Sequence, residues 1–93
     1  MRKYYLTLEN NLLRKHRKAR GLKQKEVARL LGIKNTSLIS RWENGERFPR
    51  PIKLFQLAIV YRTITEALYL DTVRQLREEI MKKEESIKTN KLK

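Results

Sequence analysis

The sequence predicts an all-α fold, built from short helices that lead into one long helix. Three observations support this prediction. Apolar residues recur at helical spacings along most of the chain, glycines fall where these segments stop, and no segment shows a convincing strand pattern. The stretch YYLTL at residues 4–8 is the only strand candidate, and it is short. A length of 93 residues favours a single domain with a modest core.

The first two predicted helices each stop at a glycine, a residue well suited to the position just after a helix end. The first is predicted over residues 9–20 and stops at Gly21. The second is predicted over residues 24–31 and stops at Gly32. Each has an apolar face that we expect to turn inward. The inward residues are Leu12, Leu13 and His16, with Ala19 nearby, in the first helix, and Val27, Ala28 and Leu31 in the second.

The third and fourth predicted helices are bounded by residues with special backbone preferences. The third runs from about residue 35 to the stop at Asn44 and Gly45. The fourth begins after Pro49, because Pro51 suits a first helical position. The inward residues are Ile39 and Trp42 in the third helix, and Leu54, Leu57, Ala58 and Tyr61 in the fourth.

The last predicted helix, over residues 63–88, is long for a domain of this size. Its start, with Thr63 three residues before Glu66, matches a capping box. Apolar residues then recur at spacings of 4, 3, 4 and 7, as in a coiled-coil seam, although Lys83 interrupts the seam. This pattern favours a partner helix, either from a second copy of the chain or from another protein. The alternative is a solvated helix that frays after Met81. The seam contains Tyr69, Val73, Leu76, Ile80 and Ile87, of which Val73, Leu76 and Ile80 are the predicted dimer contacts.

Positive charge is concentrated in the first two thirds of the chain. The formal net charge is +13; residues 1–62 carry 16 Lys and Arg against 4 acidic residues, and residues 63–93 carry 7 against 6. A basic body with a balanced tail indicates a polyanion partner for the body and a separate role for the tail. A merely solubilising surface and an anionic membrane surface are the alternatives.

The composition argues against an enzyme and against a bound metal or cofactor. Cysteine is absent, and His16 is the only histidine. The sequence has no glycine-rich phosphate loop, no metal-ligand spacing and no set of residues for nucleophilic catalysis. We also find no signal peptide and no run of about 18 apolar residues. The expectation is a cytoplasmic protein that does not cross a membrane.

The second and third predicted helices form the motif that indicates function. Two short helices joined by a short turn containing glycine describe a helix-turn-helix unit. In that unit the second helix enters the DNA major groove and the first crosses the backbone. Polar residues on the second helix are then expected, because base edges are read by hydrogen bonds.

The sequence also resembles the lambda-repressor/Cro-type helix-turn-helix family, known as the XRE family, from about residue 13 to residue 68. The resemblance implies a compact five-helix domain that binds specific duplex DNA sequences, usually as a homodimer on a two-fold symmetric operator. With it we expect a DNA-binding domain over residues 1–70 and a C-terminal helical extension over residues 71–93. The matching residues are Arg17, Gly21-Leu22-Lys23-Gln24, Glu26-Val27-Ala28, Leu31-Gly32, Ile39-Ser40-Arg41, Glu43-Asn44-Gly45, Pro49 and Leu57-Ala58.

Site residues follow from the resemblance, position by position. Arg17 and Glu43 match a structural pair that ties the first helix to the end of the third. Arg41 matches a base-reading position and has the donors to bond a guanine at O6 and N7. The full base-reading set is Thr36, Ser37, Leu38 and Arg41, and the phosphate-contacting set is Gln24, Asn35, Asn44 and Arg47.

The start of the third helix depends on the register chosen. Between Gly32 and Glu43 the chain is one residue longer than the family pattern. Counting back from Glu43 makes Asn35 the N-cap, whereas counting on from Gly32 makes it Lys34. Asparagine caps helices well and lysine does not, so we prefer Asn35. This choice makes Thr36 and Ser37 readers, although both could serve only the helix start, and Arg41 could be a phosphate contact instead.

The resemblance implies a repressor-like transcriptional regulator that binds double-stranded DNA. The alternative is an antitoxin-like or adaptor module that docks a partner protein through its long C-terminal helix. The two functions differ in what the final helix contacts, and substitution of the seam residues would test which contact it makes.

Overall fold

The computed structural model describes residue 8 and residues 10–92, and this part of the chain is helical without any strand. It confirms the all-α class, with five short helices followed by an extended C-terminal helix. The strand candidate at residues 4–8 lies outside the described residues apart from Leu8. The six helices in the described part are α1 (Leu13–Ala19), α2 (Gln24–Leu30), α3 (Ser37–Glu43), α4 (Pro51–Val60), α5 (Thr65–Leu68) and α6 (Leu70–Leu92).

The core lies between α1, α2, α3, α4 and α5. The predicted inward residues of α2 and α3 are buried, and Trp42 is 3% exposed. In α1 only Leu13 is buried, while Leu12 and His16 are half-buried and Ala19 is exposed. The buried face of this helix is therefore narrower than the sequence predicted. The buried apolar residues are Leu13, Val27, Ala28, Leu31, Ile39, Trp42, Leu57, Ala58, Tyr61, Leu68 and Tyr69.

Helix α1 begins four residues later than the predicted start at residue 9. The side chain of Asn11 accepts a hydrogen bond from the backbone N–H of Leu13 at 3.0 Å. Its amide nitrogen donates to the carbonyl of Trp42, also at 3.0 Å. An asparagine side chain that bonds nearby backbone favours a helix start over a helix interior. Asn11 therefore fixes the first turn of α1 and ties it to the end of α3.

Two of the short helices show how the chain reverses direction after a helix. Gly32, after α2, has a φ of 74°, and Arg62, after α4, has a φ of 59°. In each case the next residue donates back to a carbonyl five residues earlier. These bonds run from Ile33 to Ala28 at 2.8 Å and from Thr63 to Ala58 at 2.9 Å. This is the Schellman arrangement, and it closes both helices.

The single helix predicted over residues 63–88 is in fact two. It breaks at Tyr69, whose φ and ψ are −135° and 53°. Ile64 takes the cap position of α5 without a side-chain cap bond, so the predicted capping box at Thr63 does not form. Neighbours on one helix point about 100° apart. The break lets both Leu68 and Tyr69 face the core, at 0% and 3% exposed. Beyond this break, α6 runs on to Leu92.

Candidate nucleic-acid interface

The outer face of α3 carries an exposed polar row. Ile39 and Trp42 turn into the core and hold the helix in place. Ser37, Arg41 and Asn44 are exposed at spacings of four and three residues, so they share one face over about 10 Å. The structure thus brings together Ser37 and Arg41 of the predicted base-reading set, with Asn44 at the end of the row.

The other two predicted base readers lie beside this row. Thr36 is half-buried at the cap of α3. Leu38 is also half-buried and packs against the core, so only part of its side chain is open to a ligand. Neither residue lies on the fully exposed row, because the packing of Ile39 and Trp42 sets the rotation of α3.

The start of α3 differs by one residue from the predicted register. The helix begins at Ser37, with Thr36 in the cap position, and not directly after Asn35. The side chain of Asn35 nevertheless accepts a hydrogen bond from the backbone N–H of Ser37 at 3.0 Å and another from the Ser37 hydroxyl. Asn35 therefore satisfies a free N–H of the first turn from one position further out than predicted.

Glu43, at the end of α3, is a buried carboxylate that receives hydrogen bonds from α1 and α2. Its partner Arg17 donates from Nε to Oε2 at 2.6 Å and from Nη2 to Oε1 at 3.1 Å. Gln24 donates to Oε1 at 3.0 Å. The structure thus places Arg17 and Glu43 in a two-pronged ion pair, as the resemblance implied. Gln24, predicted as a phosphate contact, uses its amide nitrogen to support α3.

The surroundings of Glu43 favour its charged form. Burial on its own raises the pKa of the Glu43 carboxyl, but hydrogen bonds from Arg17 and Gln24, together with the charge of Arg17, outweigh it. The net result is a pKa of Glu43 below its ordinary value. The hydrogen bond to Glu43 also raises the pKa of Arg17. Glu43 is therefore an ionised residue that links three helices, and it is not suited to act as a general acid or base.

Arg14 was missed by sequence reasoning. It lies one turn before Arg17 on α1 and donates from Nε to Glu43 at 3.3 Å. Its Nη2 also donates to the side-chain oxygen of Asn44 at 2.9 Å. The spacing of three residues from Arg17 was a usable signal, because such residues lie on the same face of a helix. Asn44, a predicted phosphate contact, is therefore held by α1.

Two clefts lined by cationic residues border α3. The first lies at its start, beside Asn35 and Thr36, and the second lies beside Leu38 and Trp42. Each cleft contains three Lys or Arg residues, and only one of the six was predicted as a site residue. They are Lys25, Arg29 and Lys34 in the first cleft, and Arg47, Arg50 and Lys53 in the second.

The segment between α3 and α4 positions the second cleft. Pro49 is buried, and the ring of Phe48 packs on that of Tyr69 with centroids 4.8 Å apart. The flanking Arg47 and Arg50 are exposed. Lys53 is half-buried and donates to the carbonyl of Leu31 at 2.7 Å, which links α4 to the end of α2. The predicted phosphate contact Arg47 thus belongs to a group of cations that the sequence did not reveal.

The paired helices α2 and α3, the outward polar row and the cationic clefts define a helix-turn-helix protein. A family model described as Helix-turn-helix, of the XRE or lambda-repressor-like kind, matches residues 13–67. This is more than half of the chain, and the chain belongs to this family. It is accordingly a DNA-binding regulatory protein by class, in a family that is not typically enzymatic. Neither the curated proteins nor the solved structures gave a match. None of the described helices is both long and apolar enough to span a membrane.

Proposed function

We propose that the protein is a transcriptional regulator that binds specific double-stranded DNA sequences, acts as a repressor and inserts α3 into the major groove. The observation that carries this proposal is the pair of cationic clefts bordering α3. A helix in the major groove lies between two phosphate backbones, and phosphates attract Lys and Arg. As a DNA-binding protein it acts where the cell keeps its DNA, and the location that we propose for it is the cytoplasm.

Base reading is assigned to the outward row of α3. Arg41 is exposed near its centre and supplies a two-pronged contact to guanine, a contact worth about 1–3 kcal/mol of discrimination. Ser37 lies one turn before it and offers a hydroxyl. Thr36 and Leu38 complete the proposed set from the edges of the row, where the Leu38 side chain can meet a thymine methyl group.

Phosphate contacts are assigned to residues around the two clefts. Asn44 has its amide oxygen bonded to Arg14, so its amide nitrogen is the group we assign to a phosphate oxygen. Arg47 contributes from the second cleft, and Asn35 lies in the first. Gln24 is assigned a phosphate contact from the start of α2, where its amide nitrogen also bonds Glu43 of α3. These contacts fix the position of α3 without reading sequence.

Selection of bound sequences from a random duplex pool at physiological salt tests the proposal. We expect one enriched motif for the native chain and a relaxed motif for Arg41→Ala. Arg47→Ala is expected to weaken binding to all sequences about equally, because it removes a phosphate contact. Lys82→Ala, at an exposed lysine on α6 outside the seam, is the matched control and should change neither property. Retention of DNA without any enriched motif would contradict a sequence-specific regulator.

A homodimer on a two-fold symmetric site is part of the same proposal. Its support is the row of apolar residues on α6, where Ile80 and Ile87 are more than half exposed. The same row also supports the second candidate function, an antitoxin-like or adaptor module whose partner protein docks on α6. An enriched inverted repeat with half-sites about 10 base pairs apart would favour the dimer. A single half-site would favour the partner protein.

A further inference from the structure

The distal part of α6 exposes apolar residues that nothing in the described chain covers. This helix has 23 residues, so it is about 35 Å long. Val73 and Leu76 are half-buried near the body, whereas Ile80 and Ile87 are 56% and 54% exposed. All four fall at a and d positions of one heptad register. The seam therefore continues beyond the part of α6 that the body can cover.

An apolar groove lies at the body end of this seam. Its apolar lining comes from the segment before α4, from α4 itself, from the break after α5 and from the start of α6. The edge of the groove also carries an acidic residue, Glu66. An isoleucine arriving along the seam would find apolar side chains on both sides of it. The apolar lining residues are Phe48, Leu54, Tyr69, Val73 and Leu76.

Charge favours a second copy of the chain as the occupant of the seam. Residues 1–62 carry 16 basic residues against 4 acidic ones, so two bodies repel each other. Residues 63–93 carry 7 against 6, so this segment is where two copies can approach without that repulsion. The tail of α6 carries Lys88 and Lys91, which complement Glu66 at the groove.

The charges on α6 disfavour a parallel pair of these helices. In a parallel pair equal heptad positions meet, so Lys83 would face Lys83 of the partner subunit across the seam. Glu79 at a g position would also lie beside the partner's Glu84 at an e position. Both contacts bring like charges together. The Lys83 contact lies on the two-fold axis, and the contact between Glu79 and Glu84 occurs twice by symmetry.

One antiparallel register removes these conflicts. When Leu76 faces the partner's Ile87, Ile80 faces the partner's Lys83, so the two lysines no longer meet. In the same register Arg77 lies beside the partner subunit's Glu84, and this attractive pair occurs twice by symmetry. Shifting the register by one heptad in either direction brings two Arg77 or two Glu84 side chains together.

We propose, building on the homodimer proposed above, that α6 pairs antiparallel with α6 of a second copy in this register. Ile87 of the partner subunit then fills the groove at Phe48 and Leu76. Two layers of the seam, each joining a Leu76 to an Ile87, are apolar on both sides. The remaining layers contain Lys83 or Asn90, which makes this a reversible dimer and not a permanent one.

Disulfide trapping without DNA tests the register, since the chain contains no cysteine of its own. A mixture of Leu76→Cys and Ile87→Cys chains should form a disulfide-linked heterodimer under mild oxidation. Leu76→Cys alone should not link to itself. Position 76 of one copy lies 11 residues along the pair from position 76 of the other, about 16 Å, which is beyond the reach of a disulfide. Linking of Leu76→Cys to itself would overturn the antiparallel arrangement, and no linking in either sample would overturn the α6 pair.

Sedimentation measurements with charge variants provide a second test that does not need cysteine. Arg77→Glu should weaken the dimer by about tenfold, and adding Glu84→Arg should restore it. Ile87→Glu should leave a monomer. Ile59→Glu changes an isoleucine that is 74% exposed on α4, and it should leave the dimer intact. Dissociation by Ile59→Glu but not by Ile87→Glu would place the interface on α4 and overturn the proposal.

Failure of this proposal and failure of the regulatory function are distinguishable. Trapping and sedimentation contain no DNA, so their outcome is independent of base reading. Sequence selection with the native chain tests base reading whether or not α6 pairs. An enriched half-site without disulfide linking through α6 would support base reading by α3 and overturn only the α6 dimer.

Discussion

The carboxylate of Glu43 connects three helices, and its side chain is 1% exposed. Its substitution by glutamine keeps the size of the side chain but leaves Arg17 with an uncompensated charge, in a site where the Arg17 side chain is only 11% exposed. Breaking a buried ion pair in this way typically costs about 3–5 kcal/mol. We expect Glu43→Gln to lower the free energy of unfolding, measured in urea, by an amount in that range.

The matched control for this variant is an exposed ion pair of the same chain. Asp71 and Arg74 approach to 3.3 Å on α6 while both side chains remain largely open to solvent. Exposed pairs contribute about 0–1 kcal/mol, so Asp71→Asn should change stability little. Equal losses in Glu43→Gln and Asp71→Asn would mean that burial does not strengthen the role of Glu43.

The same carboxylate predicts how stability depends on pH. Its pKa is lower in the folded chain than its ordinary value of 4.5, because the donated hydrogen bonds outweigh burial. The stabilisation is therefore fully present above pH 4.5 and is lost as the pH falls through the folded pKa. Below pH 4.5, the unfolding free energy of the native chain should fall more steeply than that of Glu43→Gln. Parallel curves in urea titrations at several pH values would contradict this.

At the scale of single residues, sequence resemblance placed the Arg17 and Glu43 pair but not its neighbours. Arg14 and Gln24 reach the same carboxylate only because α1 and α2 are packed against the end of α3. The spacing of Arg14 from Arg17 could have indicated Arg14, because both lie on one face of α1, but no spacing indicates that Gln24 reaches this carboxylate. The resemblance also indicated Ser37 and Arg41, which lie one turn apart on α3 and therefore share a face of it.

At the scale of elements, a prediction comes from two helix ends. Gly32 after α2 and Arg62 after α4 both have a left-handed backbone, although only one of them is a glycine. At Gly32 an added Cβ would meet nothing within 4 Å, so Gly32→Ala tests backbone strain alone. We expect a loss of about 1 kcal/mol in unfolding free energy. At Arg62 the strain is already present, so Arg62→Gly should raise the unfolding free energy by about 0.5 kcal/mol. This net gain is the strain that is relieved minus the cost of the greater freedom that glycine gives the unfolded chain.

Arg62→Ala separates the backbone from the side chain in this experiment. It removes the guanidinium but keeps a Cβ at a φ of 59°, so no gain is expected. Thermal or urea unfolding of the native chain, both Arg62 variants and Gly32→Ala gives the comparison. A gain in Arg62→Ala equal to that of Arg62→Gly would show that charge, and not backbone strain, limits stability at this turn.

Element boundaries were predictable where local residues set them. The glycines after α1 and α2 stopped both helices close to the predicted positions. The two large errors have a common cause, since both depend on distant contacts. Asn11 starts α1 while bonded to the carbonyl of Trp42, and Tyr69 breaks the last helix while buried in the core. Helical periodicity continues through both positions and carries no sign of either contact.

At the scale of the whole molecule, the sequence predicted a basic body but not the arrangement of its charges. Lys25, Arg29 and Lys34 lie in one cleft, although they belong to α2 and the following turn. Arg50 and Lys53 join Arg47 in the other because the segment before α4 folds back beside α3. Net charge indicated a polyanion partner, and the fold gathers six of the cations into two clefts beside α3.

Removing residues 78–93 separates the roles of the body and of α6. None of the apolar residues that are buried in the described part of the chain lies in this segment, so the shortened chain should keep its fold and unfold in one cooperative thermal transition. The deletion removes five lysines and four glutamates, which changes the net charge by only one. Binding to a duplex with a single half-site should therefore be nearly unchanged, and so should its dependence on salt.

Binding to a duplex with two half-sites should behave differently, because linked sites gain from effective concentration. Loss of the α6 pair should weaken that binding by about 10²–10⁴-fold, which fluorescence anisotropy on labelled duplexes measures directly. The full-length chain on both duplexes is the control. Equal weakening on one and two half-sites, with the thermal transition intact, would mean that α6 contacts DNA itself. Unchanged binding on both would mean that two copies join through the body, where α4 exposes Ile52, Phe55 and Ile59.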